Sequence, residues 1–535
     1  MSEAYGAEAY GAALHARFLR GLALAPERVA VRGPGWSLTY RQLHERALTW
    51  AGALLRAVDG DFRSATGKGP RAVGEPTGTG PGAIGVLADK GPDAYTGVLA
   101  GLFAGLTVVP MSTGFPASRI RQMLDAAAVS AVVADGSGQA LLADAVDPGG
   151  RPLPVLATEG GTVRADTAYA LTAPRPVRAD DTAYILFTSG STGRPKGVRV
   201  THGATDHYFQ VLDTRYPFTP EDVFSQTFDL NFDCSLFDLF CAWGAGATAQ
   251  QIPAAAYRDL PGFAASAGLT VWFSTPSAVA LVRRTCGLGE GSLPGLRWSF
   301  FAGEAFTCRD AEDWQRAAPH SHVENLYGPT ELTVTVTGHR WSPQDRAVNG
   351  YVPIGTVHKG HDWLLLGEDG EPASDEGELL ISGPQMTTGY LDPADEEGRF
   401  LQRDGRRWYR TGDRVRRIGD EVLAYVDRLD AQVQVQGWRV EPAEIDQRLR
   451  GLPGVQDAVT VAVTCPDGQT SLVGFYTGER LSPAVLVRGL RAHLPDRMIP
   501  RRFQHVTEFP LNGNRKTDRK ALRAVAAELL REAVS

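Results

Sequence analysis

Between residues 84 and 134 the chain alternates short apolar runs with stretches of helical spacing. Residues 84–88 read as a buried strand, 93–104 as an amphipathic helix and 106–111 as a second strand. A helix over 119–127 and a strand over 131–134 follow. This β-α-β-α-β order predicts a parallel sheet covered by helices, since each parallel pairing needs a crossover and the crossover covers a face. Apolar runs at 183–187, 270–273 and 298–302 repeat the signal. Over 408–429 the texture changes to short alternating strands. Beyond residue 440 a smaller α+β unit is expected, with helices over 442–449 and 484–494 and strands over 458–463 and 472–476. The predicted fold class is therefore α/β: a large, multi-subdomain N-terminal α/β domain (1–429) followed by a small mobile C-terminal α+β lid domain (430–535). Residues 58–82, rich in Gly, Pro, Thr and Arg without periodicity, read as a mobile surface insertion, and 174–179 as a loop.

Composition narrows the function classes. The chain has 535 residues, 61 acidic and 54 basic, for a net charge of −7. That balance argues against a nucleic-acid binder, which would carry a basic face. With 43% hydrophobic residues the chain has material for a sizeable core. No apolar run reaches eighteen residues and the N-terminus lacks a signal layout, so neither membrane nor export is expected. Five cysteines without framework or metal spacing fit a reducing cytoplasm. Only six of the 54 basic residues are lysine (Lys68, Lys90, Lys196, Lys359, Lys516 and Lys520). Arginine serves elsewhere, so each lysine invites a question about placement.

The sharpest local signal is Thr188-Ser-Gly-Ser-Thr-Gly-Arg-Pro-Lys-Gly197, directly after an apolar strand. Backbone N–H groups, four hydroxyls and one cation suit a polyphosphate. The spacing is not that of a Walker loop. A bare Gly-Ser-Gly is more often a plain turn, but ten filled positions after a strand are not. Further along stand Asn325-Leu-Tyr-Gly-Pro-Thr-Glu331, Tyr409-Arg-Thr-Gly-Asp413, Arg428-Leu-Asp-Ala-Gln-Val433, Gly437-Trp-Arg-Val-Glu441, Leu494-Pro-Asp-Arg-Met-Ile-Pro500 and Lys516-Thr-Asp-Arg519. In this order the motifs resemble those of the adenylate-forming superfamily. That superfamily includes the amino-acid adenylation domains of nonribosomal peptide synthetases, acyl-CoA synthetases and luciferases. The resemblance spans nearly the whole chain, including the weaker segments at 38–43 and 102–110.

The resemblance implies ATP and Mg²⁺ as cofactors and a role for each motif residue. Thr188, Ser189, Gly190, Ser191, Thr192 and Gly193 would cradle phosphates, with Lys196 on the pyrophosphate. Gly303, Glu304 and Ala305 resemble the adenine-side segment, joined by Asn325, Tyr327 and Gly328. Tyr327 would stack on the base and Thr330 would bond the α-phosphate. Glu331 would ligate Mg²⁺, as a hard oxygen donor suits it. Asp413 would accept from the ribose hydroxyls, and Arg428 would hold ribose or phosphate oxygens. Tyr425 would line the nucleoside or pack in the core; both readings stand. Lys516 would bridge substrate carboxylate and α-phosphate, where charge crowds in the transition state. Asp430 resembles the hinge about which the lid rotates to bring the Gly437 segment to an incoming thiol, with Arg439 on phosphate. Two positions depart from the pattern: Arg515 replaces the usual glycine before Lys516, and Gln434 stands where many relatives carry lysine.

Phe228-Asp-Leu-Asn-Phe-Asp-Cys234 looks like the segment of amino-acid activators, in which Asp233 would pair with the substrate ammonium. By the same resemblance Cys234, Phe237, Phe273, Phe300, Ala302, Leu326, Val334 and Thr335 would line the side-chain pocket. Without a fixed charge and with three phenylalanines, that pocket would favour a small or compact apolar amino acid: proline, alanine, aminobutyrate or a β-amino acid. The sequence shows no phosphopantetheine segment after Lys520, so the expected partner is a separate phosphopantetheinylated carrier protein, with a small helper protein as some relatives require. The expected reaction is thus aminoacyl-AMP formation and carrier charging in natural-product biosynthesis. An acyl- or aryl-CoA ligase and a non-catalytic nucleotide- or amino-acid-binding paralogue are the alternatives.

Overall fold

The computed structural model of the chain describes residues 11–59, 82–146, 153–190, 193–465, 470–510 and 517–532. Among the described residues, the body holds a seven-stranded, a nine-stranded and a six-stranded sheet. In the seven-stranded sheet, strand Ala83–Leu87 runs parallel to both Thr107–Met111 and Val129–Ala134. All five of its residues are buried, which is why it reads as an unbroken apolar run. Helix Pro92–Phe103 makes the first crossover, and helix Ala117–Ala126 the second. Gly101 lets the first helix lie close: a Cβ there would sit 2.7 Å from Val108 Cγ2 and 2.9 Å from Ile84 Cδ1.

The same sheet continues through Thr182–Thr188, parallel to Thr107–Met111 and antiparallel to Lys196–Thr201. The glycine-rich loop is therefore the connection of a hairpin. In the nine-stranded sheet, Val223–Gln226, Val271–Ser274, Trp298–Phe301 and His322–Tyr327 run parallel in that order. Their carboxyl ends deliver residues 275, 302–304 and 327–331 to one edge, where open α/β sheets place ligands. In the six-stranded sheet, Arg406–Arg417 and Leu423–Arg428 pair antiparallel with Asp413 opposite Arg428.

From Val433 onward the chain forms hairpin Val433–Val435/Trp438–Val440 and then sheet Val455–Thr464, Thr470–Gly478 and Arg502–His505. Helices Pro442–Arg450 and Pro483–Arg491 cover one side, with Ile445, Leu449, Leu486 and Leu490 in a core of their own. This matches the expected α+β unit to within a few residues.

Some elements were not anticipated from the pattern. Helix Tyr40–Val58 is nineteen residues long and starts with a capping box between Thr39 and Gln42. Apart from its ends, the insertion expected at 58–82 lies outside the described residues. Among the described residues no helix is long and apolar enough to cross a membrane.

The tight seat of Gly101 gives a stability prediction. Gly101→Val should overpack the helix against Ile84 and Val108 and destabilise the fold by about 1–3 kcal/mol. A lowered urea midpoint is the expected reading; an unchanged midpoint would show that the helix can shift freely.

Candidate active site

A cleft of about 630 Å³ lies where the two parallel sheets, the six-stranded sheet and the C-terminal unit meet. Most of the residues singled out in the sequence converge on it. Thr188 and Ser189 enter from the hairpin loop; Ala302, Gly303, Glu304 and Ala305 from the end of strand Trp298–Phe301. Asn325, Leu326 and Tyr327 come from the end of strand His322–Tyr327, and Gly328 and Thr330 follow it. Asp413, Tyr425, Arg428 and the hinge candidate Asp430 line one wall, and Arg439 with Trp438 closes the cleft from the C-terminal unit. Asp233, Cys234 and Val334 line its inner end. Lys516, Ser191, Thr192 and the departure Arg515 lie outside the described residues. Thr517 to Arg519 are described, and Arg519 binds Asp446 and the Thr460 carbonyl of the C-terminal unit.

Asp233 stands just before helix Cys234–Ala245, and its Oδ2 accepts a hydrogen bond from Thr330 Oγ1 at 2.8 Å. Burial raises its carboxyl to about 6 against the help of Thr330 and the Cys234 N–H. Among the described residues no cation is paired with this carboxylate.

Asp413 and Arg428 form the opposite pole. Arg428 Nη1 donates to Asp413 Oδ1 at 2.9 Å, and the Tyr327 hydroxyl donates to Asp413 Oδ2 at 2.6 Å. Arg428 also grips Asp430 with two donors at 2.7 Å each and reaches Gln432 at 2.7 Å. Burial raises Asp413, and Arg428 with Tyr327 works against that rise. One guanidinium therefore joins Asp413 to Asp430, a bidentate geometry lysine could not supply.

Several expectations need correction. Phe237, Phe273 and Phe300 do not line the cleft: they are 0–1% exposed and pack edge to face on one another at 4.7–6.3 Å. They form a solid floor behind Cys234 and Ala302. Thr335 is likewise fully buried behind Val334, its hydroxyl 3.4 Å from the Tyr208 hydroxyl. Lys196 does not face the cleft either. Its Nζ sits 3.7 Å from Asp395, a buried carboxylate that also holds Arg194. Glu304 lines the cleft, but its carboxylate accepts from Ser277 N at 2.9 Å and Gly437 N at 2.6 Å. It ties the Gly437 turn of the C-terminal unit to the cleft edge.

Glu331 is 1% exposed and lies just behind the cleft wall. Arg439 Nη1 donates to Oε2 at 2.9 Å and the Tyr390 hydroxyl to Oε1 at 2.6 Å. Burial opposes its charge, yet Arg439 and Tyr390 outweigh burial and hold the carboxyl below its usual range. An ionised oxygen donor beside the Thr330 hydroxyl fits Mg²⁺, which typically takes one or two carboxylates and fills its shell with substrate phosphates and water. No group of three or more His, Cys, Asp or Glu among the described residues could hold a metal.

Gly190 and Gly193 sit on the outer side of the phosphate-type loop, against helix Pro442–Arg450. Gly190 N donates to Glu444 Oε2 at 3.3 Å, and Arg448 Nη2 donates to the Gly193 carbonyl at 2.6 Å. Glu444 Oε1 meets Arg119 Nη1 at 2.7 Å in an ion pair only 4% and 1% exposed. Ser189 Oγ donates to the Arg439 carbonyl at 2.7 Å. Gly437 has a φ of +81°, and a Cβ there would meet Thr275 Cγ2 at 2.7 Å, so only glycine brings the hairpin turn this close. Trp438 packs edge-on to Phe232 at 5.0 Å and Phe115 at 5.9 Å. Sequence reasoning missed Arg119, Tyr390 and Glu444; their partners lie far away along the chain, so no local spacing reveals them.

Comparison with known proteins gives a consistent picture. The AMP-binding enzyme family matches residues 76–391. An L-proline–[L-prolyl-carrier protein] ligase of Streptomyces coelicolor is 34% identical over 452 residues, covering 79% of this chain and 84% of that protein. The crystal structure of IdnL7 is 51% identical with a TM-score of 0.72, covering 96% of this chain and 99% of that one. The Vibrio cholerae adenylation domain AlmE, solved with glycyl-adenosine-5′-phosphate, is 27% identical with a TM-score of 0.83, covering 96% and 98%.

The raised Asp233 carboxyl predicts a pH profile. Its charge is present above about pH 6 and lost below it. For a ligand whose ammonium needs that charge, KM should rise about tenfold per pH unit below pH 6 and stay flat from about pH 7 to 9. Steady-state kinetics with saturating ATP would show this; a flat profile down to pH 5 would remove Asp233 from ammonium binding.

Proposed function

The chain belongs to the AMP-binding enzyme family, and from that premise we propose that it activates a small apolar amino acid as aminoacyl-AMP and passes it to a separate carrier protein. The observation that carries this reading is the 2.8 Å bond from Thr330 to Asp233. In an α-amino acid two carbons separate the ammonium nitrogen from the carboxylate oxygens. An ammonium on Asp233 therefore brings the carboxylate to Thr330, on the motif that would receive the α-phosphate. A plain acyl or aryl acid offers Asp233 nothing, and a buried charge without a partner is costly. This disfavours the CoA-ligase alternative.

The substrate side chain would meet Cys234, Ala302, Leu326 and Val334, with the three phenylalanines closing the space behind. That floor suits glycine, alanine, aminobutyrate, proline or a β-amino acid. The names of the compared proteins, a prolyl ligase and a glycyl-adenylate complex, lie in the same size range.

In the first step an oxygen of the amino-acid carboxylate attacks the α-phosphorus of ATP, and the bond to the β-phosphate oxygen breaks. Pyrophosphate leaves and aminoacyl-AMP remains. Mg²⁺, when bound near Glu331, would neutralise charge on the phosphates. Asp413, oriented by Tyr327 and Arg428, holds the ribose, and Lys516 stabilises the crowded charge at phosphorus. In the second step a phosphopantetheine thiol of the carrier takes the acyl group and AMP departs. Here the unit from Asp430 onward acts as a lid turning about that residue. The described arrangement, with the Gly437 turn and Arg439 in the cleft, suits this step. A cytoplasmic setting in natural-product assembly completes the reading.

ATP–pyrophosphate exchange over a panel of small amino acids is the direct test. Asp233→Ala should abolish amino-acid-dependent exchange. Equal exchange by the wild type with propionate in place of alanine would sink the reading. Lys516→Arg, although it keeps the charge, should lower kcat of exchange by about 100-fold, because a planar guanidinium cannot sit between the two oxygens as an ammonium does. Near-wild-type exchange in that variant would show that charge alone suffices at this position.

A further inference from the structure

Directly after Glu331 the backbone does something costly. Thr333 has a φ of +56° and Val334 a φ of +69°, and both are β-branched. Thr335 N donates back to the Thr333 carbonyl at 3.0 Å, closing a three-residue turn centred on Val334. Left-handed conformations at β-branched residues are outliers, and turns of this hand are rare and strained. Such strain persists only where the surroundings over-determine it, and it gathers at functional sites.

Among those surroundings one side chain grips three of the turn's carbonyls. Gln385, wholly buried, donates its Nε2 to the carbonyls of Leu332 at 3.1 Å, Thr333 at 3.3 Å and Thr335 at 2.8 Å. Its Oε1 lies 3.3 Å from His358 Nδ1, which fixes the amide with nitrogen toward the turn. Its own carbonyl accepts from Thr333 Oγ1 at 2.7 Å. The turn's product is the placement of Val334 on the inner wall of the cleft, the same end that Asp233 lines. Glu331 is secured separately, through Thr387 N on its carbonyl at 2.7 Å and through Tyr390 and Arg439.

We propose that Gln385 is the positioning residue of the amino-acid pocket, its side-chain amide holding residues 332–335 in the left-handed turn that sets Val334 against the substrate. The assignment rests on the amino-acid reading given above. It separates two halves of one segment: residues 330–331 serve the phosphates and residues 332–335 serve the side chain of the amino acid. Gln385 acts on the second half only.

Gln385→Glu keeps the size of the side chain and removes both donors; Gln385→Met removes all polarity and covers the case in which a buried carboxylate prevents folding. Each is assayed by pyrophosphate exchange with glycine, L-alanine and L-proline as probes. The KM for the best probe should rise about tenfold or more while the KM for ATP stays within about threefold, and the preference among the three probes should flatten. Thr333→Gly supplies the reading a general structural role would not move. Glycine adopts the left-handed region without strain, so in the Thr333→Gly background the Gln385 variants should lose much less, about threefold or under. The proposal is overturned if the amino-acid KM is unchanged, if both KM values rise together, or if the two substitutions are additive. Absence of exchange by the wild type with any amino acid would instead fell the amino-acid reading, and this proposal with it.

Discussion

Glu331 and Arg439 form a buried ion pair between the body and the C-terminal unit, and the closed arrangement of the cleft is organised around it. Two charges withdrawn from water are tolerated only with close pairing and further hydrogen bonds. Both conditions hold: Tyr390 completes Glu331, and Gln432 accepts from Arg439 Nε at 2.9 Å. Breaking one partner of such a pair typically costs about 3–5 kcal/mol. The pair therefore fixes hairpin Val433–Val435/Trp438–Val440 over the cleft, with Gly437 on Glu304 and Trp438 between Phe115 and Phe232.

The pair also carries a chemical consequence. Both oxygens of Glu331 are engaged, and on the phosphate-type loop the Gly190 N–H is taken by Glu444. If the loop cradles phosphates as proposed, that carboxylate occupies a donor a phosphate oxygen would use. Under the proposed function, the seated C-terminal unit and a metal–polyphosphate would draw on the same groups. At the other pole of the cleft Asp413 and Tyr425 line the open space, with Arg428 and Tyr327 each on one oxygen of Asp413. The arrangement suits a site that has released pyrophosphate and retains an adenylate.

Legibility from the sequence followed the range of the interactions. The strands around 84–134 and 182–188 were readable because buried parallel strands write continuous apolar runs, and the loop 188–197 and residues 325–331 carry their chemistry locally. Asp233, Asp413 and Arg428, each in a motif of consecutive residues, do line the cleft. What escaped depends on packing between distant segments. Arg119 and Glu444 pair across 325 positions, so neither announces the other. The three phenylalanines were placed on the pocket wall, but edge-to-face packing among themselves draws them behind it. Lys196 has the right spacing for a phosphate, yet Asp395 holds it away from the cleft. Helix Tyr40–Val58 went unread between two short strands. The left-handed turn at Thr333 is not legible locally, since its residues prefer other conformations and the Gln385 amide that bonds its carbonyls lies some fifty positions on.

Under the proposed function, the C-terminal unit seated through Arg439 and metal-bound ATP would compete for Glu331, whereas AMP would not. Calorimetric titration of Mg·ATP and of AMP into the wild type and Arg439→Ala tests it most directly. Removing the guanidinium should tighten Mg·ATP binding and leave AMP binding nearly unchanged. Weaker Mg·ATP binding by Arg439→Ala would contradict the account, since Arg439 would then belong to the ATP site rather than compete with it.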